Sequence, residues 1–144
     1  MRYLKGAFHS GLILYSASLN QDLSIRCFCD SDWALDPDDR RSTSGAAVYF
    51  RPNLVSWWSR KQNVVSRTST EAEYRSLAAA PADILWIKTL LQELPVPHTT
   101  PIVLCDNSSA VQLAHNPVLH ARNRHMELDV FFFREKVLTK QLVV

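Results

Sequence analysis

Glycine is scarce in this 144-residue chain, 3 residues against 7 prolines, which excludes collagen-like and low-complexity classes. Long apolar runs are missing as well. A membrane span needs about 18 nearly uninterrupted apolar residues. The longest greasy stretch, Ser76 to Leu94, is broken by Asp83, Lys88 and Glu93. No membrane partner is therefore expected. Cysteine is limited to Cys27, Cys29 and Cys105, an odd number with no C-x-x-C pair. A zinc ribbon is excluded on that spacing, and no zinc is expected. All three lie in apolar strand-like runs, where cysteine acts as a small hydrophobe, and a reducing compartment suits them. Arg2 and Lys5 precede an apolar patch ending at Ser16-Ala17-Ser18, but His9 and Ser10 interrupt it. Secretion is accordingly not expected. Neither sign of charge dominates: 16 Lys and Arg stand against 14 Asp and Glu, a net charge of +2. That balance permits a nucleic-acid partner without requiring one.

What is present suits a single packed domain. Hydrophobic residues make up 47% and charged residues 21%, enough for a core and too apolar for disorder. Charge is segregated along the chain. Asp30, Asp32, Asp36, Asp38 and Asp39 crowd one segment; Arg51, Arg60, Lys61 and Arg67 follow, and Arg122 and Arg124 come late. On charge alone, solvated surface explains this better than a metal site beside a polyanion does.

Residues 1–20 read as a connector and 21–144 as the domain. LSIRCFCD, 23–30, alternates as a strand that ends at Asp30. Asp36-Pro37-Asp38-Asp39 is a turn by composition. Ala46–Phe50 and Leu54–Ser59 form a hairpin across Arg51-Pro52-Asn53, and a third short run covers Asn63–Arg67. A helix then starts, with Ser69 or Thr70 as cap and Glu71 and Glu73 in its first turn. It runs to about Glu93, stopped by Pro95 and Pro97, with Leu77, Ile84, Leu85, Lys88, Leu91 and Leu94 on its apolar stripe. Pro81 inside it removes the bond to the Leu77 carbonyl and is expected to kink the helix or cost about 3 kcal/mol. Ile102–Cys105 is a buried strand, Ser108–His115 a helix, residues 124–139 another helix, and Gln141–Val144 the start of a strand. Core positions are expected for Trp33 and Trp86, and opposite faces for Trp57 and Trp58. The order is α/β with a mixed sheet, antiparallel first and parallel later.

Three acids stand where sites are built: Asp30 at a strand end, Glu73 in a first helical turn, and Asp106 between a strand and a helix. Brought together, they repel and raise one another's pKa unless a cation lies between them. Oxygen ligands select Mg²⁺ or Mn²⁺, which suits phosphodiester cleavage. Capping alone also places acids at these positions. A calcium loop from Asp30 fails, since Leu35 stands at its sixth position and Arg41 at its twelfth. His115, His120 and His125, spaced by five, match no metal-ligand pattern and read as structural.

DSDWALDPDDRRSTSGAAVYF, NLVSWWSRKQNVVSRTSTEAEYRSLAAA and LCDNSSAVQLAHNPVLHARNRHMELDVFFFREKV occur in that order. Together they resemble the ribonuclease H domain of copia-type retrotransposon Pol polyproteins, over essentially the whole chain. RYLKG at the start resembles the tail of the reverse transcriptase connection. The resemblance implies a ribonuclease H-like fold and Mg²⁺-dependent (or Mn²⁺-dependent) hydrolysis of the RNA strand of RNA–DNA hybrids. It implies Asp30, Glu73 and Asp106 as catalytic metal ligands, with Glu71 a capping acid. Asp32 is expected to turn away from Asp30's site.

Asn107, Ser108 and Ser69 are expected near the scissile phosphate, and Arg60, Lys61, Arg67, Arg122 and Arg124 on the backbone of the nucleic acid. The implied partners are the hybrid and the reverse transcriptase of the same polyprotein, in a cytoplasmic particle or the nucleus. The family's fourth acid, in a QxAD-type motif on a last helix, has no counterpart before the chain stops at QLVV. Ala46 stands where an aromatic is common, and Phe132 where His is frequent. The alternative expectation is thus an impaired, truncated remnant that at most binds nucleic acid.

Overall fold

The computed structural model describes residues 6, 10–16, 23–115 and 127–144. Its elements are β1 (Ile25–Asp32), β2 (Thr43–Phe50), β3 (Asn53–Lys61), α1 (Ser69–Glu93), β4 (Ile102–Leu104), α2 (Ser108–His115) and α3 (Glu127–Leu138). The strands form one sheet in the order β3-β2-β1-β4, with β1–β2 and β2–β3 antiparallel and β1–β4 parallel. Val143 adds a parallel bridge to Ile102 beyond β4, where the strand start at 141–144 was expected.

Strict alternation in β1 separates two faces. Ile25, Cys27, Cys29 and Ser31 are buried; Arg26, Phe28, Asp30 and Asp32 are exposed. The buried face meets α1, which packs on β1 and β2, while α2 and α3 pack on α1. Ile25, Val48, Leu77, Ile84, Val103 and Phe133 fill the core between these layers.

Several expectations need correction. β1 runs two residues past Asp30, because Asp30, Ser31 and Asp32 keep pairing with Gly45, Ser44 and Thr43. Residues two apart in a strand share a face, so Asp32 points the same way as Asp30 rather than away. The run Asn63–Arg67 is irregular backbone, not a strand. Thr68, one residue before the expected cap, closes α1: its side chain accepts the Glu71 N–H at 3.1 Å.

The expected end of α1 at Glu93 holds: the helix spans 25 residues, with Pro81 inside it and buried in the core. Ile87 joins the buried stripe, whereas Leu94 lies outside the helix and is exposed. Trp33 and Trp86 are 50% and 64% exposed, so neither is a core residue. Trp58 packs against the core and Trp57 faces out, as alternation requires.

Asp36 builds the expected turn: one carboxylate oxygen accepts the N–H groups of Asp38 and Asp39, and its carbonyl accepts that of Arg40. Among the described residues, no helix is long and apolar enough to cross a membrane.

Candidate metal centre

Local sequence explains how each acid reaches the site. Asp30 sits on the open face of β1, and its backbone is fixed from behind by the Ser76 hydroxyl, which donates to the Asp30 carbonyl at 2.8 Å. Glu73 lies one turn into α1. The helix start is set by the Thr68 cap and by Glu71, whose carboxylate accepts the Arg67 N–H at 2.9 Å and pairs with Arg75 at 2.9 Å. Glu71 is therefore the capping acid, and Glu73 is free to turn inward. Asp106 lies two residues past the end of β4, and Asn107 behind it caps α2, accepting the Ala110 N–H at 3.0 Å.

Glu73 is only 6% exposed. One of its oxygens accepts the Ser31 N–H at 3.1 Å; the other faces the Cys105 thiol at 3.8 Å. Burial raises its carboxyl first, the negative charges of Cys105, Asp30 and Asp106 add to that, and the Ser31 N–H only partly opposes them; the result is about 8. The ligating atoms of Glu73, Cys105 and Asp106 all lie within 4.8 Å of one another. Asp30 stands outside that close group, but its charge reaches Glu73.

A buried carboxylate among anions is stabilised by a cation, and a donor set dominated by carboxylate oxygens fits a hard divalent ion. The residues present thus suit Mg²⁺ or Mn²⁺. Cys105 adds a sulfur at the rim. The neighbouring Cys29 thiol holds Cys105 down to about 7 against its burial, while Cys105 and burial drive Cys29 above the usual thiol range.

Ser69 and Ser108 are exposed at the first residues of α1 and α2, and Asn107 is half-buried in its capping role. Arg60 is exposed, its guanidinium 5.2 Å from the Trp58 ring centre, and Arg67 is exposed beside α1. Lys61 pairs with Asp36 and, at 2.8 Å, with Asp39, bracing the 36–39 turn. Its ammonium lowers both carboxyls, Asp39 to about 2. Arg122 and Arg124, like His120 and His125, lie outside the described residues.

Two positioning residues escaped the sequence reading. The Gln62 amide donates to the Ser44 hydroxyl at 2.8 Å, the Ala72 carbonyl at 3.0 Å and the Ser31 hydroxyl at 3.3 Å, and accepts from Ser66 at 2.8 Å. It ties β1, β2 and the start of α1 at one point. Ser76 was signalled only by being a hydroxyl within a buried apolar helix face.

No family model matches the chain. The Pol polyprotein of transposon RE1 from Arabidopsis thaliana is 42% identical over 145 residues, covering 100% of this chain. That of transposon TNT 1-94 from Nicotiana tabacum is 33% identical over 144 residues. The chain spans 10% of the length of these relatives. Among solved structures, a ribonuclease H1 isolated from compost superposes with a TM-score of 0.59 at 15% identity, over 84% of this chain and 81% of that one. The N-terminal ribonuclease H domain of a Mycobacterium tuberculosis protein gives 0.55 at 15% identity, over 85% and 79%. At that identity the structures show the fold, a mixed sheet flanked by helices, and the polyproteins show the kinship. By both, the chain belongs to the ribonuclease H-like domains of copia-type retrotransposon Pol polyproteins.

Proposed function

We propose that this domain hydrolyses the RNA strand of RNA–DNA hybrids during retrotransposon reverse transcription, using Mg²⁺ or Mn²⁺ held by Asp30, Glu73 and Asp106. The observation that carries the reading is the buried Glu73 carboxylate, raised to about 8 among Asp30, Asp106 and Cys105 at the edge of this sheet. When bound, such an ion supplies a nucleophilic water at neutral pH and offsets charge on the phosphate. The chain's own residues prepare the place. Ser31 fixes one oxygen of Glu73 and leaves the other facing the Cys105 thiol, beside Asp106; Ser76 fixes the backbone of Asp30.

The 2′-hydroxyls of the RNA strand distinguish a hybrid from DNA, so discrimination needs polar groups beside the cut. Ser69, Asn107 and Ser108 take that role in this reading. Arg60, Lys61, Arg67, Arg122 and Arg124 hold phosphates, Lys61 after release from its turn carboxylates. Phosphate contacts carry little sequence information, so binding is weakly sequence-specific and salt-sensitive. The compost ribonuclease H1 has been solved with an RNA/DNA hybrid, which supports a hybrid as substrate. The reverse transcriptase of the same polyprotein is the natural partner, with residues 1–20 as the connector.

The test is a hybrid labelled on either strand, with duplex DNA as control. The RNA strand alone is cut, and cleavage weakens as salt rises. Equal cutting of the DNA strand would contradict the reading.

A further inference from the structure

Cys29 and Cys105 carry no step of the proposed hydrolysis, yet they stand beside it, Cys29 on β1 and Cys105 just past the end of the neighbouring strand β4. β1 and β4 pair in parallel with Phe28 opposite Leu104, so the next residues, Cys29 and Cys105, continue the register. The Cys29 Sγ lies 3.5 Å from the carbonyl of Leu104, the residue just before Cys105. Neighbouring strands run about 4.8 Å apart, inside the roughly 4.4–6.8 Å between Cα atoms that a disulfide accepts. Cys105 is half-buried and open to a small oxidant, whereas Cys29 and Cys27 are buried. Cys105 precedes Asp106, and its thiol is the contact of the second Glu73 oxygen.

We propose that Cys29 and Cys105 form a reversible disulfide that switches the metal centre off. A hydroperoxide oxidises the Cys105 thiol to a sulfenic acid and leaves as the alcohol, or as water when the oxidant is hydrogen peroxide. The Cys29 sulfur then attacks that sulfur, the hydroxyl departs with the Cys29 proton as water, and the S–S bond forms. Two electrons pass from the thiol pair to the O–O bond. Drawing the Cys105 sulfur to bonding distance, about 2.05 Å, removes it from Glu73 and pulls the end of β4 that carries Asp106. The effect on catalysis rests on the proposed hydrolysis; the disulfide does not.

The test treats the full chain with hydrogen peroxide and reads its intact mass, its free thiols and its cleavage of hybrid. The expected product is a monomer lighter by two hydrogen atoms, with only the Cys27 thiol free. Cleavage falls about 10- to 100-fold, as when a contact behind a metal ligand is lost, and returns on adding dithiothreitol. Cys27→Ser still forms the bond; Cys29→Ser and Cys105→Ser do not. Three surviving thiols, a bond to Cys27, or a disulfide that leaves cleavage unchanged would overturn the switch. A reduced chain that never cleaves would instead count against the proposed hydrolysis, while the mass still decides whether the bond forms.

Discussion

With Glu73 raised to about 8 by its burial and by the charges of Cys105, Asp30 and Asp106, the folded chain keeps a proton that the unfolded chain releases near 4.5. A raised folded pKa gives stability that is full below the unfolded value and lost as pH climbs through the folded one. The metal-free protein should therefore melt at progressively lower temperature between about pH 4.5 and 8. Glu73→Gln should flatten that slope, and Mg²⁺ should raise the melting temperature of the native chain most at the alkaline end. Thermal melts in EDTA and in Mg²⁺ check all three; a flat profile for the native chain would contradict them. Gln62 offers a second test at this scale. Gln62→Leu strips partners from Ser31, Ser44, Ser66 and the Ala72 carbonyl at once. Buried polar groups left unpaired cost about 1–3 kcal/mol each, so with four groups stripped urea unfolding should show a loss of about 4 kcal/mol or more. Asp30, Glu73 and Asp106 were legible as candidates because acids at strand ends and helix starts stand out in the chain. Gln62 and Ser76 were not, because nothing local marks a side chain whose partners come from three elements.

Helix α1 shows what a strong pattern carries and what it leaves open. Its span was legible from the first-turn acids, the apolar spacing and Pro95. The cap was misplaced by one residue, because Thr68, Ser69 and Thr70 are all able to cap and only tertiary placement selects among them. Pro81 lies inside the helix, as the expected span requires, and its ring is buried in the core. Pro81→Ala restores a donor for the Leu77 carbonyl, worth about 3 kcal/mol, and removes two buried methylenes, about 0.8 kcal/mol each. A net gain of about 1 kcal/mol in denaturant unfolding is expected; a loss would show that the ring's packing dominates. Strand β1 was read two residues short. Its polar end, Asp30-Ser31-Asp32, looks like a loop until pairing with β2 is known.

The molecule has one well-packed side and one open side. Leu104, Phe28, Ala47 and Trp57 lie in register across the open face, which also carries Asp30. Trp57 is 63% exposed there, whereas Trp58 packs on the core. Trp58→Ala should cost about 3–5 kcal/mol, and Trp57→Ser should change stability by no more than about 0.5 kcal/mol. Equal losses would mean that the open face is covered. The mixed sheet and the order of its elements were legible from alternation and turn chemistry. Trp33 and Trp86 were placed wrongly, because an aromatic ring signals burial only on average. Trp33 instead reaches over the surface and donates its indole N–H to the Ser66 carbonyl at 3.0 Å.

The central claim is that Asp30, Glu73 and Asp106 form a divalent-cation site that hydrolyses RNA in a hybrid. The most direct measurement is cleavage of the labelled RNA strand by the native chain and by Asp30→Asn, each shown to be folded, in Mg²⁺ and in EDTA. Cutting by the native chain in Mg²⁺, abolished by EDTA and reduced on the order of 100-fold or more by Asp30→Asn, is the predicted result. A folded native chain that leaves the hybrid intact in Mg²⁺, or an Asp30→Asn variant that cuts as well as the native chain, would contradict it.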